Sequence, residues 1–325
     1  VPATIQEEGG TTVRVKLNFE IQSCGFCLTG LPEFRRQVAW ADVVHYHHPW
    51  PFQDVMHFMC GVDKPTVVTY HADIIRQQNL LRLYAPLMNR FLESVDVIVP
   101  TSEVYSETSE HLQKFRSKLQ VIPLGLADDA YPAIDDACLD RAHQQVGADF
   151  FLFIGMLRYY KSLDVLVDAC ASTDANVVIA GAGPLELELK ARARALGLRN
   201  LTFTGEVDDE MKVALLKLCR GIVFPSHNRA EAFGVTLLEG AMFGKPLITS
   251  ALVSGTNHVN RAGETGLTVT PADPLALAAA MNQLSLDDEL CRELGAGARA
   301  RFESLFSAST MGHRYVDVYR SLERR

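Results

Sequence analysis

Two glutamates and two cations carry the chemistry that this sequence offers. Glu231 lies in a polar loop at 226–232, after the apolar run GIVF at 221–224. Glu239 lies inside a helix that opens at Phe233-Gly234 and stops near Gly244, with Pro246 unable to continue it. On that helix the neighbours of Glu239 at three and four positions are Val235, Thr236, Met242 and Phe243, a mostly apolar face. A carboxylate there needs a partner, either a neighbouring loop or a ligand. The unpaired N–H groups at the helix start, with the positive end of its dipole, suit a phosphate.

Arg158 and Lys161 follow the apolar run FFLFI at 150–154, and two cations at a strand end before a helix suit an anion such as a diphosphate. The alternative is a solvated loop pair. Gly181-Ala182-Gly183-Pro184 follows NVVIA, where the glycines let ligand or backbone approach closely and Pro184 starts a helix. Thr204-Gly205-Glu206-Val207 follows LTF and could hold a flat group against backbone. His71 follows TVVTY, and His45, His47 and His48 are read at the end of DVVHY, ahead of a turn at Pro49-Trp50-Pro51. For each histidine the alternative is an ordinary loop residue. No G-x-G-x-x-G, no G-x-S-x-G and no histidine–carboxylate metal spacing occurs.

The elements that must position these residues alternate strand and helix. In the first part, strands are expected at 13–17, 42–46, 66–70, 96–100 and 119–125. A long amphipathic helix is expected at 77–94, kinked or broken at Pro86. After a helix at about 135–145, strands are expected at 150–154, 176–180, 201–205, 221–224, 246–250 and 267–270. The intervening helices fall at about 162–173, 185–196, 208–219, 233–243, 273–284 and 286–304. The fold class is therefore α/β, with two doubly wound parallel-sheet domains at 1–146 and 147–308. A last helix at 309–325 has no strand after it and is free to pack on the first domain. In such sheets ligands bind beyond the carboxyl ends of the strands, where all four features of the second half fall.

The totals agree with an ordinary globular chain. It has 325 residues, 48% hydrophobic and 22% charged, enough for two domains. The net charge of −8 and the absence of any basic block beyond Arg35-Arg36 and Arg324-Arg325 argue against nucleic acid as a partner. Seven cysteines, an odd count, argue for a reducing compartment, and Cys24-x-x-Cys27 stands without a second pair. No apolar run approaches the roughly 18 residues of a membrane span, and no secretory leader is read. The chain begins Val1-Pro2 without Met, so its start is processed or more sequence precedes it.

The run EAFGVTLLE at 231–239 resembles the E-x7-E motif of the retaining family 4 glycosyltransferases, which have the GT-B fold of two facing Rossmann-like domains. The likeness extends in order through TYHADI at 69–74, PTSEVY at 100–105, VIPLGL at 121–126, FIGMLRYYKSLDVLVDA at 153–169, AGAGPLE at 180–186, TFTGEV at 202–207 and GTNHVNRAGETGLTVTPADPLALAAAM at 255–281. The resemblance implies that Arg158 and Lys161 neutralise a donor diphosphate and that amides around Phe233, Gly234 and Val235 hold sugar hydroxyls and phosphate. It implies that Glu231 accepts from hexose hydroxyls, that Glu239 binds the ribose, that Glu206 and Val207 border the base, and that His71 reaches the sugar from the first domain. Met156 stands where many members carry the first cation, and Ser162 where a glycine is usual, so Lys161 fits the motif better than Arg158. The family begins with a strand, a Gly-rich loop and a helix. Gly9-Gly10 follow no strand read from the sequence, so roughly 50 residues or more of an ordinary first domain are expected to be missing here.

By this resemblance the chain is a metal-independent, retaining hexosyltransferase of bacterial polysaccharide or lipopolysaccharide type, with a nucleotide sugar as substrate and no cofactor. GDP-mannose or a GDP-deoxysugar is the expected donor and a glycan or lipid-linked hydroxyl the expected acceptor, met in the cytoplasm or at the membrane's cytoplasmic face. Arg76, Arg82 and Arg90 would favour anionic lipid there, the alternative being an ordinary surface helix. Competing readings are a nucleotide-sugar epimerase or hydrolase on the same fold, and an idle nucleotide-binding module lacking its front end.

Overall fold

The computed structural model describes residues 3–7, 9–21, 24–74, 78–227, 231, 233–252 and 254–323. The chain forms two compact units. Unit one comprises Val1–Thr101, Ser106–Ile122 and Tyr315–Arg325, and unit two Ser102–Tyr105 and Pro123–Arg314. The sequence places a boundary near 147. The units divide at Ile122/Pro123 instead, because the helix at 136–146 packs on a later helix of unit two through Cys138, Ala142 and Ala214.

Unit one opens with two antiparallel hairpins, β1 (Ala3–Glu7) with β2 (Gly10–Arg14) and β3 (Phe19–Ile21) with β4 (Cys24–Phe26). Helix α1 (Leu31–Trp40) leads into a parallel sheet of β5 (Val44–His48), β6 (Thr66–Tyr70) and β7 (Val97–Pro100) in that order. Their crossovers are α2 (Pro51–Cys60) and α3 (Gln78–Ser94), and α4 (Glu103–Thr108) follows. Every residue of β6 is buried, as expected for a central parallel strand. Pro51 starts α2, where its fixed φ and missing N–H cost nothing, and Gly61 ends it at φ +61°.

Several expectations for this unit are corrected. VRVKL joins no parallel sheet; its first residues belong to β2, and Gly9-Gly10 follow a strand after all, as a hairpin turn with Gly9 at φ +90°. Residues 119–125 form no strand. The segment follows β7 through Gln120 N–H to Ile98 O (3.0 Å) and Ile122 N–H to Pro100 O (3.2 Å), and Pro123 then has no N–H to give. Helix α3 runs unbroken through Pro86. Strand β5 extends to His48, so His45, His47 and His48 lie in the strand rather than after it, and Pro51 begins a helix where a turn was read.

Unit two begins with α5 (Asp136–Val146) and continues as β8 (Phe151–Ile154), α6 (Leu163–Ala169), β9 (Val177–Ala180), α7 (Glu186–Ala195), β10 (Leu201–Gly205), α8 (Asp209–Leu218), β11 (Gly221–Phe224), α9 (Val235–Met242), β12 (Leu247–Ser250), α10 (Gly255–Val259) and β13 (Gly266–Val269). Helices α11 (Pro274–Leu286), α12 (Asp288–Arg301) and α13 (Ala308–Glu323) close the chain. The six strands are parallel, in the order β10-β9-β8-β11-β12-β13. Strands β8, β9, β11 and β12 are buried at every residue, which is why the first three read as unbroken apolar runs. The order reverses between β8 and β11. That switch point is where an open α/β sheet leaves a crevice at the carboxyl ends of its strands.

Candidate functional site

The loops that leave β8 and β11 flank the switch point, and they carry most of the residues singled out in the sequence. They are tied together. Ser162, buried and in the left-handed region at φ +53°, bonds through Oγ to His227 Nδ1 and accepts from the His227 N–H at 3.1 Å. Ser226 Oγ donates to Tyr160 O at 2.5 Å. The loop after β9 closes on the loop after β8. A Cβ on Gly181 would lie 2.1 Å from Gly155 O, and one on Gly183 would lie 2.6 Å from Leu157 N and O. Of the two approaches read for the glycines, that of backbone is therefore present.

Lys161 and Glu231 form an ion pair, with the side chain of each only 12% exposed. The ammonium lies 4.4 Å from the centroid of the buried Phe224 ring and 5.4 Å from that of Tyr160. Burial first, and then the charge of Glu231, push the Tyr160 phenol above its ordinary range. Arg158 does not join the pair. It is exposed, and its Nε donates to Met156 Sδ at 2.8 Å.

Helix α9 starts from Gly234, whose φ of +83° suits glycine. Thr236 Oγ1 donates to Ile154 O at 3.0 Å and so fixes the first turn to the end of β8. Phe233 is buried against Phe306, while Val235 is 45% exposed. Glu239 is 6% exposed and is paired by protein groups. Tyr131 O–H donates to Oε1 at 2.8 Å, and Lys212 Nζ lies 3.4 Å from the same oxygen. Burial raises the Tyr131 pKa beyond the ordinary phenol range, and Glu239 adds to it. Burial opposes the charge of Lys212, but Asp209 and Glu239 outweigh it and raise its pKa. Glu206 is exposed, and Val207 is half-buried against the core of unit two.

His71 belongs to unit one. Its Nε2 lies 2.8 Å from His47 Nδ1, with the rings nearly parallel at 14°. Burial, then His47, lower its pKa. His45 is held by Tyr319 O–H at Nδ1 (2.6 Å) and Thr69 Oγ1 at Nε2 (2.7 Å). Burial and the neighbouring His47 and His71 push it down to about 4. Arg76 lies outside the described residues.

Sequence reasoning missed Tyr131, Lys212, His227 and the role of His47. Tyr131 stands in a connector with no periodic pattern, and Lys212 reads as the partner of Asp209 three residues before it. The one usable signal was a carboxylate on an apolar helix face, which announces that partners exist without naming them.

A doubly wound sheet with a cation, an acid and a helix start at its switch point defines a Rossmann-like ligand-binding unit. Solved structures share the whole fold. A sucrose-phosphate synthase from Thermosynechococcus elongatus superposes with a TM-score of 0.79 at 21% identity, covering all of this chain and 86% of that one. Anabaena Alr3699/HepE in complex with UDP gives 0.75 at 20% identity over 90% and 82%. The fold is GT-B, built from two Rossmann-like domains. Residues 140–301 match "Glycosyl transferases group 1" and residues 2–129 match "Glycosyltransferase Family 4". The D-rhamnosyltransferase WbpZ of Pseudomonas aeruginosa is 51% identical over 94% of this chain and 81% of its own length. The O-antigen chain mannosyltransferase C of Escherichia coli is 44% identical over 94% and 82%. The chain belongs to the group 1, family 4 glycosyltransferases.

Proposed function

We propose that the protein is a retaining hexosyltransferase that moves a sugar from a nucleoside-diphosphate donor, GDP-mannose or a GDP-deoxysugar, to a hydroxyl of a glycan or lipid-linked acceptor. The observation that carries this reading is the Lys161–Glu231 pair at the switch point, beside the start of α9, where the Gly234 cap position provides no side-chain hydrogen bond. A cation for a leaving phosphate and an acid for sugar hydroxyls stand side by side. The rhamnosyl and mannosyl names of the two relatives favour a mannose-type hexose and O-antigen assembly.

In this reading unit two binds the donor and unit one serves the acceptor. Lys161, helped by Arg158 and the amides of Phe233, Gly234 and Val235, stabilises charge on the departing diphosphate. Glu231 accepts from the hexose hydroxyls and Glu239 from the ribose, while Glu206 and Val207 border the base and Gly183 keeps the neighbouring backbone close. His71 serves the sugar from unit one. The acceptor oxygen bonds to the anomeric carbon on the face the phosphate leaves, through an oxocarbenium-like state, and its proton passes to a phosphate oxygen. No protein nucleophile and no metal are required.

A lipid-linked acceptor at the cytoplasmic membrane face is supported by a cavity of about 520 Å³ within unit one, lined by Ile21, Phe26, Trp50, Leu80, Leu83 and Tyr84 among others. Leu80, Leu83 and Ile21 are also exposed, and Arg82 and Arg90 lie on the same helix as the leucines. Among the described residues no helix is long and apolar enough to cross a membrane.

The test is a thermal-shift screen of GDP-, UDP- and ADP-sugars, followed by product analysis with an acceptor. GDP-mannose or a GDP-deoxysugar should raise the midpoint, and the product should keep the donor's anomeric configuration. An inverted product, or an epimerised sugar released without acceptor, overturns the reading.

A further inference from the structure

Glu239 is held from one side only. The Tyr131 hydroxyl at 2.8 Å and the Lys212 ammonium at 3.4 Å both approach Oε1. The ammonium also lies 4.9 Å from the Tyr131 ring centroid and 2.9 Å from Asp209 Oδ1. Two separate stretches, the connector before α5 and helix α8, therefore converge on a single carboxylate oxygen of helix α9. Oε2 has no hydrogen-bond partner among the described residues. A carboxylate carries about four lone-pair sites, and on this residue, 6% exposed, those of Oε2 are left without a protein partner among the described residues. Two partners placed only to neutralise a buried acid would be expected to share its two oxygens.

We propose that Tyr131 and Lys212 are positioning residues that hold Glu239 by Oε1 and so present Oε2, fixed in direction, to the hydroxyls of the donor ribose. The inference rests on the reading above that Glu239 faces the ribose. Each partner has its own task. The ammonium pairs with the carboxylate at Oε1 and leaves Oε2 to accept. The tyrosine, with its proton held by burial, fixes the rotation of the carboxylate plane. A carboxylate aimed in this way selects a ribose over a 2′-deoxyribose, because the deoxy sugar leaves Oε2 unpaired in the complex.

The test measures dissociation constants by calorimetry for GDP and 2′-deoxy-GDP, with UDP and 2′-deoxy-UDP as a second pair. The proteins are the wild type, Glu239→Ala, Tyr131→Phe, Lys212→Met and Lys212→Arg. The wild type should prefer the ribonucleotide by about tenfold or more, the worth of a hydrogen bond to a charged group. Glu239→Ala should bring the ratio close to one. Tyr131→Phe and Lys212→Met should each lower it severalfold, and Lys212→Arg should restore most of it. A role confined to stability would lower the unfolding midpoint and leave the ratio unchanged. If Glu239→Ala collapses the ratio while Tyr131→Phe and Lys212→Met keep it, the positioning role is overturned and the ribose reading stands. If Glu239→Ala keeps the ratio, the ribose reading fails and the inference fails with it. Tyr131→Phe removes one oxygen, and its ratio decides the matter alone if Lys212→Met does not fold.

Discussion

Lys161 and Glu231 neutralise each other at the switch point of the unit-two sheet, with the Lys161 ammonium held over the Phe224 ring. In the proposed reading a donor diphosphate and Glu231 both pair with this cation and compete for it, so the two residues should respond in opposite ways. Glu231→Gln should tighten GDP binding severalfold, since no ion pair has to be broken, while lowering kcat by on the order of a hundredfold through the lost sugar contact. Lys161→Met should weaken GDP binding and lower kcat together. Calorimetry and steady-state kinetics on the two variants decide it. A loss of GDP affinity in Glu231→Gln matching that in Lys161→Met would show that the acid does not compete with phosphate.

Gly240 sets how closely α9 lies on the sheet. A Cβ there would meet Ile222 Cγ1 at 2.3 Å and Leu247 Cδ2 at 3.1 Å, both on side chains buried in β11 and β12. Gly240→Ala should overpack this contact at a cost of about 1–3 kcal/mol, partly offset by about 1 kcal/mol of helix propensity. Because α9 also carries Gly234 and Glu239, its displacement should weaken GDP binding severalfold. Urea unfolding and calorimetry check both effects. An unchanged midpoint with unchanged affinity would mean that the helix accommodates the methyl without moving.

Unit two was legible because its strands are buried on both faces. FLFI, VVIA and GIVF are apolar without a break, LITS opens on two apolar residues, and Gly155, Gly181, Pro225 and Ala251 mark where the sheet ends. Unit one was less so. VRVKL alternates, as a strand in a hairpin does, and alternation alone does not say what it pairs with. His47 and His48 fall beyond the strand expected at 42–46 because β5 is shifted by two residues, running from Val44 to His48. At the site, residues next to strand ends and in the E-x7-E stretch could be found by position. Tyr131 could not, because its bond to Glu239 spans 108 residues of chain and no local pattern records it.

Asp54 should make unit one less stable as pH rises. It is fully buried, Tyr84 donates to its Oδ2, and its Oδ1 has no hydrogen-bond partner among the described residues. Burial pushes its pKa up to about 7, against the opposing bond from Tyr84. The folded protein therefore holds a proton that the unfolded chain releases near pH 4, and stability falls as pH rises from about 4 to about 7, by no more than about 4 kcal/mol. Asp54→Asn should remove that slope, with the variant relatively more stable at pH 8 than at pH 5. Urea midpoints at the two pH values test it, and an identical slope in both proteins would show that Asp54 stays ionised when folded.

His48 works in the opposite sense. It is 1% exposed, its ring stacks on Tyr70 with centroids 4.6 Å apart, and neither ring nitrogen has a hydrogen-bond partner among the described residues. Burial first, then His111 and His71, push its pKa down to about 3. Its folded value lies below its unfolded value of about 6.5, so the unfolded chain takes up a proton first and stability falls as pH drops from about 6.5 toward 3. At pH 5 this amounts to about 2 kcal/mol. A phenyl ring fills the same place without a group to protonate, so His48→Phe should be nearly neutral at pH 7.5 and should recover most of that loss at pH 5. His45, also lowered, keeps its bonds to Thr69 and Tyr319 in this variant, so part of the acid sensitivity should remain. Thermal unfolding of both proteins between pH 4.5 and 7.5 measures the difference. Equal acid sensitivity would mean that His48 is protonated in the folded protein, and that the stacked Tyr70 ring stabilises its charge.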